Sequence, residues 1–503
     1  MHRARVAGYE WLAITGLVAV AFAVRLVVLV RWSDAPGDGP VRAFLAYWWS
    51  RSPYFATEGT WPPGFLYLAG AFSYVVRDPL ISTRILNLVL GTLTVFAFYL
   101  LTRRTFGRLT ALLSTSILAA LPLHIGLSSS SLSEASALFE LTAGTYLLVR
   151  AADVTERRGW YLASALPLIC LAEMTRYEVW ALTPLFAAYY FIKTRHWPAT
   201  VSIVGILLAF PLFWLAGNIV STGAVFRFGR AIQGGFRSSA VGSSTAIKVI
   251  WHVAVTQIQR VLPAFIGVGV IWELSRIARR DVTPERGLYL AILSVLWAED
   301  AGLTLLRGPR MWDRLYLASL ALALPFVFWP LVLRAKPRWA ATTAVFCVAV
   351  GSMVACGVAA TRVSSETPFS PVFVTQQRPT DIAQLAQWLR RGPYRTDAVL
   401  LTNMEYRSTY LFTYFPEIGP HFAVDPEIQY AFGALRGCIG RRSCSLRTST
   451  TLPDFLRHQR PALLLTSVRD KEEWPRLGEL LGHEVPRQKP LYAAGGIEVY
   501  SLR

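Results

Sequence analysis

Residues 82–101 read STRILNLVLGTLTVFAFYLL and contain a single charged side chain, that of Arg84. A transmembrane helix needs roughly 20 apolar residues to cross about 30 Å of hydrocarbon, so this run is long enough to span a membrane. Ten further apolar runs occur along the chain, at 11–30, 109–127, 133–149, 160–174, 178–192, 198–217, 250–273, 287–306, 316–333 and 339–360. The pattern predicts an α-helical polytopic membrane protein with about 11 transmembrane helices.

The composition agrees with this fold class. Of the 503 residues, 53% are hydrophobic and only 16% are charged, whereas a soluble protein carries about 25% charged residues. The formal net charge is +19, which would suit a nucleic-acid-binding protein. The arginines, however, form short clusters between the apolar runs and no continuous stripe, so the charge indicates membrane topology instead.

Basic clusters mark the cytoplasmic side of a membrane protein. Six clusters occur, at 3–5, 103–108, 150–158, 193–195, 276–280 and 334–338, and all fall on one side if the predicted spans are correct. The run 62–76 must then not cross, and its 15 residues would reach only about 22 Å. We interpret it as a re-entrant or surface helix that begins after Pro62 and Pro63. If it did cross, every later basic loop would lie outside.

This orientation places the loop 31–81 and the C-terminal tail outside the cytoplasm. We predict two domains, a transmembrane domain over 1–360 and a soluble extracytoplasmic α/β domain over 361–503. The tail contains helical patterns at 380–391 and 471–482 and the strand-like runs AVLLTN, PALLLTS and IEVYSL. If the tail lies in an oxidising compartment, Cys438 and Cys444 could form a disulfide. The tail is also a candidate surface for acceptor recognition.

The loop 31–81 contains two acids, Asp34 and Asp38, before a helical run with an aromatic face formed by Phe44, Tyr47 and Trp48. Aromatic rings prefer the membrane interface, so we expect this helix to lie along the membrane surface. Either acid could instead cap the helix or form a turn. We favour the structural role for Asp34 and a functional role for Asp38.

Further acids and a histidine lie at predicted outer span ends. Glu134 begins a span, where a carboxylate is favoured by the helix dipole, so it is either functional or only a helix start. His124 lies near the same loop, where a hydrogen-bonded core role is the simpler interpretation. Glu173, Arg176 and Glu178 occur together in a third outer turn, as functional groups or as a local ion-pair cluster.

The segment 307–314 is rich in arginine, and Arg310 and Arg314 could bind one particular phosphate or snorkel to lipid phosphates in general. Glu299 and Asp300 lie inside the preceding span, where a charge requires a partner or a function. A transporter places its coupling charges near the membrane midplane. The acids and arginines of this chain lie nearer the outer span ends, which favours chemistry at the interface.

The order of these motifs along the chain, and their predicted location on one side of the membrane, resemble those of the polytopic glycosyltransferases of the C-type fold (GT-C). The resemblance is strongest to the bacterial relatives of protein O-mannosyltransferases and of aminoarabinose lipid A transferase. The matching features are Asp38 followed by an aromatic helix, Trp61-Pro62-Pro63, Arg84 at the next span, Glu134, Arg176 and the segment MWDRLYLASLALALP. The resemblance covers roughly residues 8–335. Gly39, Trp61 and Ser129 depart from the family, which commonly has Glu, a basic residue and Arg there.

The resemblance implies an inverting transfer of a hexose or pentose from a polyprenyl-phosphate donor to a hydroxyl of a glycan, lipid or protein acceptor in the bacterial inner membrane. Asp38 would accept the hydroxyl proton, and Arg176, Arg310 and Arg314 would bind the lipid phosphate. Glu134 would orient the acceptor or bind a divalent metal; no cofactor is implied with certainty. The remaining pocket candidates are Asp34, His124, Glu178 and Asp300.

Three alternatives stay open. A lipid-linked-sugar flippase would move the donor across a bilayer without any acceptor. A glycan ligase or polymerase would use a lipid-diphosphate donor instead of a monophosphate. A catalytically inactive scaffold is also compatible with the departures at Gly39 and Trp61.

Overall fold

The computed structural model describes most of the first 222 residues and separate segments of the remainder. The described residues are 2–31, 38–57, 61–222, 270–271, 276, 282–307, 317–334, 369–370, 375–376, 380–392, 399–401, 411, 414, 422–423, 443–444, 463–467, 489–494 and 497–501. The predicted spans 250–273 and 339–360 therefore lie almost entirely or entirely outside the described residues.

Helices dominate the described chain. They are α1 (His2–Arg31), α2 (Asp38–Arg51), α3 (Gly64–Phe72), α4 (Pro79–Phe106), α5 (Arg108–Ala120), α6 (Pro122–Leu127), α7 (Glu134–Asp153), α8 (Arg158–Thr175), the 3₁₀ helix η1 (Tyr177–Leu182), α9 (Thr183–Thr194), α10 (Trp197–Thr222), α11 (Pro284–Arg307), α12 (Leu317–Arg334) and α13 (Thr380–Arg391). Nine predicted spans thus coincide with helical segments.

Three of the described helices are long and apolar enough to cross a membrane, over Glu10–Arg31, Pro79–Phe106 and Trp197–Val220. They support a membrane location. The predicted span 109–127 is interrupted at Leu121, whose ψ is 116°, because a residue before proline is pushed out of the helical region. The helix α3 has nine residues and rises only about 14 Å, so the run 62–76 is too short to cross, as predicted.

The chain divides into two compact units. The first comprises Met1–Arg31, Ile85–Phe213 and Ile232–Val374, and the second comprises Trp32–Arg84, Trp214–Ala231 and Thr375–Arg503.

One end of the first unit is held together by ion pairs between helix ends. Glu10 of α1 forms ion pairs with two arginines: its Oε1 lies 2.6 Å from Arg103 Nε, and its Oε2 lies 2.9 Å from Arg108 Nε. Asp153, the last residue of α7, pairs with Arg104 at 2.6 Å and with Lys193 at 3.5 Å, and Lys193 also pairs with Glu285 at the start of α11. Basic loops predicted to share one side of the membrane therefore meet in space. Which side they face stays a prediction.

The second unit contains most of the described strands. The strands of the whole chain are β1 (Phe55–Ala56), β2 (Phe369–Ser370), β3 (Thr375–Gln376), β4 (Val399–Leu401), β5 (Phe422–Ala423), β6 (Ser443–Cys444), β7 (Leu463–Ser467), β8 (Tyr492–Ala494) and β9 (Ile497–Ser501). A five-stranded sheet has the order β5-β4-β7-β9-β8, parallel across β5, β4 and β7 and antiparallel at β7-β9 and β9-β8. The three predicted strand-like runs supply β4, β7 and β9.

The helix α2 differs from its predicted environment. Phe44 is only 1% exposed, and it belongs to a hydrophobic core that also contains Leu385 and Leu463. Trp48 packs against the same core. The aromatic face therefore contacts protein, because apolar residues of the C-terminal segment cover it.

Candidate functional site

Arg176 is the centre of a charged cluster in the first unit. Its Nη1 donates to Glu134 Oε1 at 3.2 Å, its Nε donates to Glu178 Oε2 at 3.1 Å, and its Nη2 pairs with Glu178 Oε1. The three side chains are 16%, 6% and 20% exposed. A guanidinium that contacts one carboxylate through two nitrogens fixes both groups in orientation.

Local structure explains how these residues meet. Helix α8 ends at Thr175, and Arg176 adopts an extended conformation with φ −144° and ψ 135° before η1 begins. Glu134 is the first residue of α7, which packs closely along α8. A Cβ on Gly144 would lie 2.7 Å from Ile169 Cγ1, so the glycine permits this close approach. The start of α7 and the end of α8 are thereby adjacent.

The electrostatics of the cluster keep Arg176 charged. Burial alone would lower the pKa of Arg176, but the carboxylates of Glu178 and Glu134 outweigh it and raise that pKa, with a further contribution from Glu299. The guanidinium of Arg176 therefore stays positively charged beside these carboxylates.

Two more acids lie in the same unit, close to this cluster in the fold. Asp300 of α11 accepts a hydrogen bond from Ser319 Oγ at 2.5 Å and interacts electrostatically with Arg176 and Glu178. Glu173 is fully buried near the end of α8, and its Oε1 accepts from Thr183 Oγ1 at 2.6 Å. A polar region therefore extends inward from the helix ends.

The loop before Glu134 is fixed by a buried asparagine of α4. Asn87 Nδ2 donates to Ser130 O and to Leu132 O, both at 2.6 Å, and its Oδ1 accepts from Ser136 Oγ at 2.6 Å. All of these residues are at most 1% exposed. Because the loop backbone is bound on the way into α7, the position of Glu134 is defined.

His124 contacts a buried arginine of α1. It is fully buried, and its Nδ1 lies 2.8 Å from Nη2 of Arg25, which is fully buried in α1. An arginine can only donate, so in this contact Nδ1 of His124 is the acceptor. Arg25 also donates to Ala21 O at 3.0 Å, and Ser129 Oγ donates to Arg25 O at 3.1 Å.

The other predicted site residues are placed only in part. Asp38 is the first residue of α2, and its side chain lies outside the described part of the structure. Asp34, Arg310 and Arg314 lie entirely outside the described residues. Of the predicted set, the structure brings together Glu134, Arg176, Glu178 and Asp300, whereas His124 contacts Arg25. Within the described residues no three His, Cys, Asp or Glu side chains are grouped to hold a metal ion.

Sequence reasoning missed Arg25 and Asn87. Both are polar residues inside long apolar runs, which is an unfavourable position without a partner and therefore a detectable signal. Their partners, at His124 and Ser130, are 99 and 43 residues away. The sequence therefore indicates that Arg25 and Asn87 need polar partners, but it does not identify those partners.

A close contact beside the Ser128–Ser133 loop gives a stability prediction. We expect Gly91→Ala to destabilise the protein by about 1–3 kcal/mol, the usual cost of overpacking. The new Cβ would lie 2.1 Å from Ser128 Oγ and 2.5 Å from Ser128 Cβ, so the loop must shift. The measurement is the thermal unfolding midpoint in detergent.

Gly205→Ala is the matched control, since nothing lies within 4 Å of its added Cβ. Its unfolding midpoint should stay unchanged or rise, because alanine favours a helix over glycine. Equal midpoints for the two variants would contradict the contact at Gly91.

Comparison with known proteins agrees with the fold described above. Residues 60–216 match the family model described as dolichyl-phosphate-mannose-protein mannosyltransferase. This segment includes Asn87, Glu134 and Arg176. No curated protein matches the chain in sequence.

Several solved structures share the fold. ArnT from Cupriavidus metallidurans in the apo state is 13% identical, with 98% of each chain covered and a TM-score of 0.65. The same protein bound to undecaprenyl phosphate is 12% identical, with 97% of each chain covered and a TM-score of 0.64. The Archaeoglobus fulgidus oligosaccharyltransferase, in complex with Zn and sulfate, is 12% identical over 92% of this chain and 69% of its own, with a TM-score of 0.56.

The chain therefore has the GT-C fold of these glycosyltransferases, and the predicted resemblance to the relatives of protein O-mannosyltransferases is confirmed.

Proposed function

We propose that the chain is an inverting glycosyltransferase that transfers a sugar from a polyprenyl-phosphate donor to a hydroxyl acceptor at the extracytoplasmic face of a bacterial inner membrane. The observation that carries this proposal is the fold shared with ArnT over 97% of both chains, in a structure that contains undecaprenyl phosphate. The match of residues 60–216 to a family named for a polyprenyl-phosphate sugar donor points to the same substrate class.

The chemical step needs one base and one site for a phosphate. The carboxylate of Asp38 accepts the proton of the acceptor hydroxyl while that oxygen bonds to the anomeric carbon. The bond from the anomeric carbon to the phosphate oxygen breaks, and polyprenyl phosphate leaves as an anion. Arg310 and Arg314 are the proposed cations that stabilise it. A single displacement inverts the anomeric centre.

The contacts of Arg176 refine its predicted role. Its guanidinium is already paired with Glu134 and Glu178, so a phosphate that bound there would also meet two carboxylates. Like charges at this distance repel one another, which disfavours the anion. We therefore assign Arg176 to holding Glu134 in position, and Glu134 to orienting the acceptor through a hydrogen bond from its hydroxyl.

Two features support the proposed orientation. The basic helix ends around Glu10 and Asp153 form one cluster, as a cytoplasmic surface requires. Side chains of α2, in the loop 31–81, share one hydrophobic core with strands β7 and β9 of the tail, so this loop and the tail occupy the same side of the membrane. We propose that this side is extracytoplasmic.

The function is tested with purified protein in liposomes that contain radiolabelled donors. Polyprenyl-phosphate hexoses, polyprenyl-phosphate pentoses and the corresponding diphosphates are supplied in parallel, with a bacterial envelope extract as the acceptor. We expect label to leave at least one monophosphate donor and to enter the extract, with release of unlabelled polyprenyl phosphate.

The alternatives give different results in the same liposomes. Transfer only from diphosphate donors would identify a ligase or polymerase. Movement of a donor between leaflets without acceptor or label release would identify a flippase. If every donor of the panel showed no transfer and no movement, the result would contradict the proposed enzymatic activity.

A further inference from the structure

Helix α2 has one face that is entirely apolar. Val41 and Phe44 are 4% and 1% exposed, and Leu45 and Trp48 pack against the same core. These positions are i, i+3, i+4 and i+7, which is the spacing of a single helix face. The helix therefore presents a continuous apolar surface on one face.

The C-terminal segment supplies that partner. Helix α13 contributes the same spacing, with Ile382, Leu385, Ala386 and Leu389 all at most 2% exposed. The strands contribute Leu463 and Leu465 of β7 and Ile497 and Val499 of β9, which are at most 1% exposed. Leu465 and Val499 are paired across the two antiparallel strands. Side chains of α2 thus belong to the core of the C-terminal sheet.

A second connection ties the same loop to the C-terminal segment. Strand β1 pairs in parallel with β6, with Phe55 opposite Ser443 and Ala56 opposite Cys444. The backbone N–H of Ala56 also donates to Tyr67 Oη of α3 at 2.7 Å. The chain after α2 is therefore held by backbone hydrogen bonds as well as by apolar contacts.

On the side of α3, α2 is held by aromatic packing. A Cβ on Gly70 would lie 2.3 Å from the ring of Trp49, whose Nε1 donates to Tyr54 O at 2.8 Å. The guanidinium of Arg42 lies 4.4 Å from the ring centre of Trp61. With the C-terminal core on one face and α3 beside it, α2 has a defined position along its length.

We propose that the C-terminal segment, residues 375–503, acts as the positioning element of the base, because its core holds the helix that begins at Asp38. Val41 is one helical turn beyond Asp38, so a shift of Val41 and Phe44 in the core moves the backbone of residue 38. Phe44 and Leu385 are positioning residues. This inference rests on the proposed role of Asp38, and it adds a function for the tail besides acceptor recognition.

The test uses the full chain with Leu385→Ala and, as a milder change, Phe44→Leu. We expect kcat for the best donor of the panel to fall about tenfold, since small displacements of a reacting group are costly, while KM changes less than about threefold. Amide hydrogen exchange over residues 39–48 should accelerate in both variants. Leu491→Ala removes a leucine that is 41% exposed near β8, and it should change neither quantity.

Two results would overturn the proposal: unchanged exchange over residues 39–48, or accelerated exchange with an unchanged kcat. The milder variant keeps the test decisive if Leu385→Ala fails to fold. Full activity of Asp38→Asn is a separate outcome. It would overturn the assignment of the base, and the dependence of the exchange of α2 on Leu385 would stand.

Discussion

Sugar transfer by the Asp38→Asn variant should be about 10²- to 10⁴-fold slower than by the wild type, which is the usual contribution of a positioned general base. Asparagine has nearly the shape of aspartate, but its amide cannot take up the proton of the acceptor hydroxyl. Donor binding should persist, because the phosphate and the lipid chain contact other groups. Initial transfer rates and equilibrium binding of the donor check the two statements.

Glu156→Gln provides the control for this variant. Glu156 is an exposed acid in the turn between α7 and α8, so the same change of charge should leave the transfer rate unchanged. Wild-type transfer by Asp38→Asn would remove Asp38 from the mechanism. Loss of both transfer and donor binding would show instead that the residue is needed for binding or folding.

The positions of the helices were largely predictable because hydropathy alone determines them. A run of about 20 apolar residues has few alternatives to a membrane helix, since its backbone polar groups must be satisfied internally. The break at Leu121 was also present in the sequence, as a proline at 122 inside an apolar run. The prediction of one continuous span over 109–127 was based on apolar length alone and did not take this proline into account.

The environment of α2 was not predictable in the same way. Its apolar face, with Phe44 and Trp48, is compatible with a membrane surface or with a protein core, and the local sequence does not distinguish them. The choice depends on Leu385, Leu463 and Val499, which approach only when the C-terminal sheet has formed. The periodic apolar residues of α2 indicate that one face is covered, but they do not indicate which segment covers it.

The candidate site, too, could be predicted only in part from the sequence. The sequence placed Glu134, Arg176 and Glu178 at span ends predicted to share a side, and the structure brings these three together. The resemblance to the GT-C family assigned Arg176 to the lipid phosphate, while the sequence alone left open an ion-pair cluster with Glu173 and Glu178. Two carboxylates within hydrogen-bond distance change the phosphate assignment. The contact with Glu178 is local in sequence, whereas the contact with Glu134 depends on the relative placement of α7 and α8.

Replacing Arg176 with glutamine is expected to affect both stability and turnover. Glu134 and Glu178 would be left mostly buried without their cation, and breaking a buried pair in this way costs about 3–5 kcal/mol. Transfer should also fall by about 10²-fold, because Glu134 loses the group that holds it. Thermal unfolding in detergent and initial transfer rates measure the two effects. Arg157→Gln, at an exposed arginine, should show neither.

The kinetic constants separate the two roles that Arg176 could have. A residue that positions Glu134 lowers kcat and leaves the donor affinity nearly unchanged, whereas a phosphate ligand raises the KM for the donor. Glu134→Gln in the Arg176→Gln background should then cause little further loss of kcat, since the two side chains act as one unit. Additive losses of kcat, together with a raised KM for the donor, would indicate instead that Arg176 binds the lipid phosphate. They would also mean that Glu134 and Glu178 move away from the guanidinium when the donor binds.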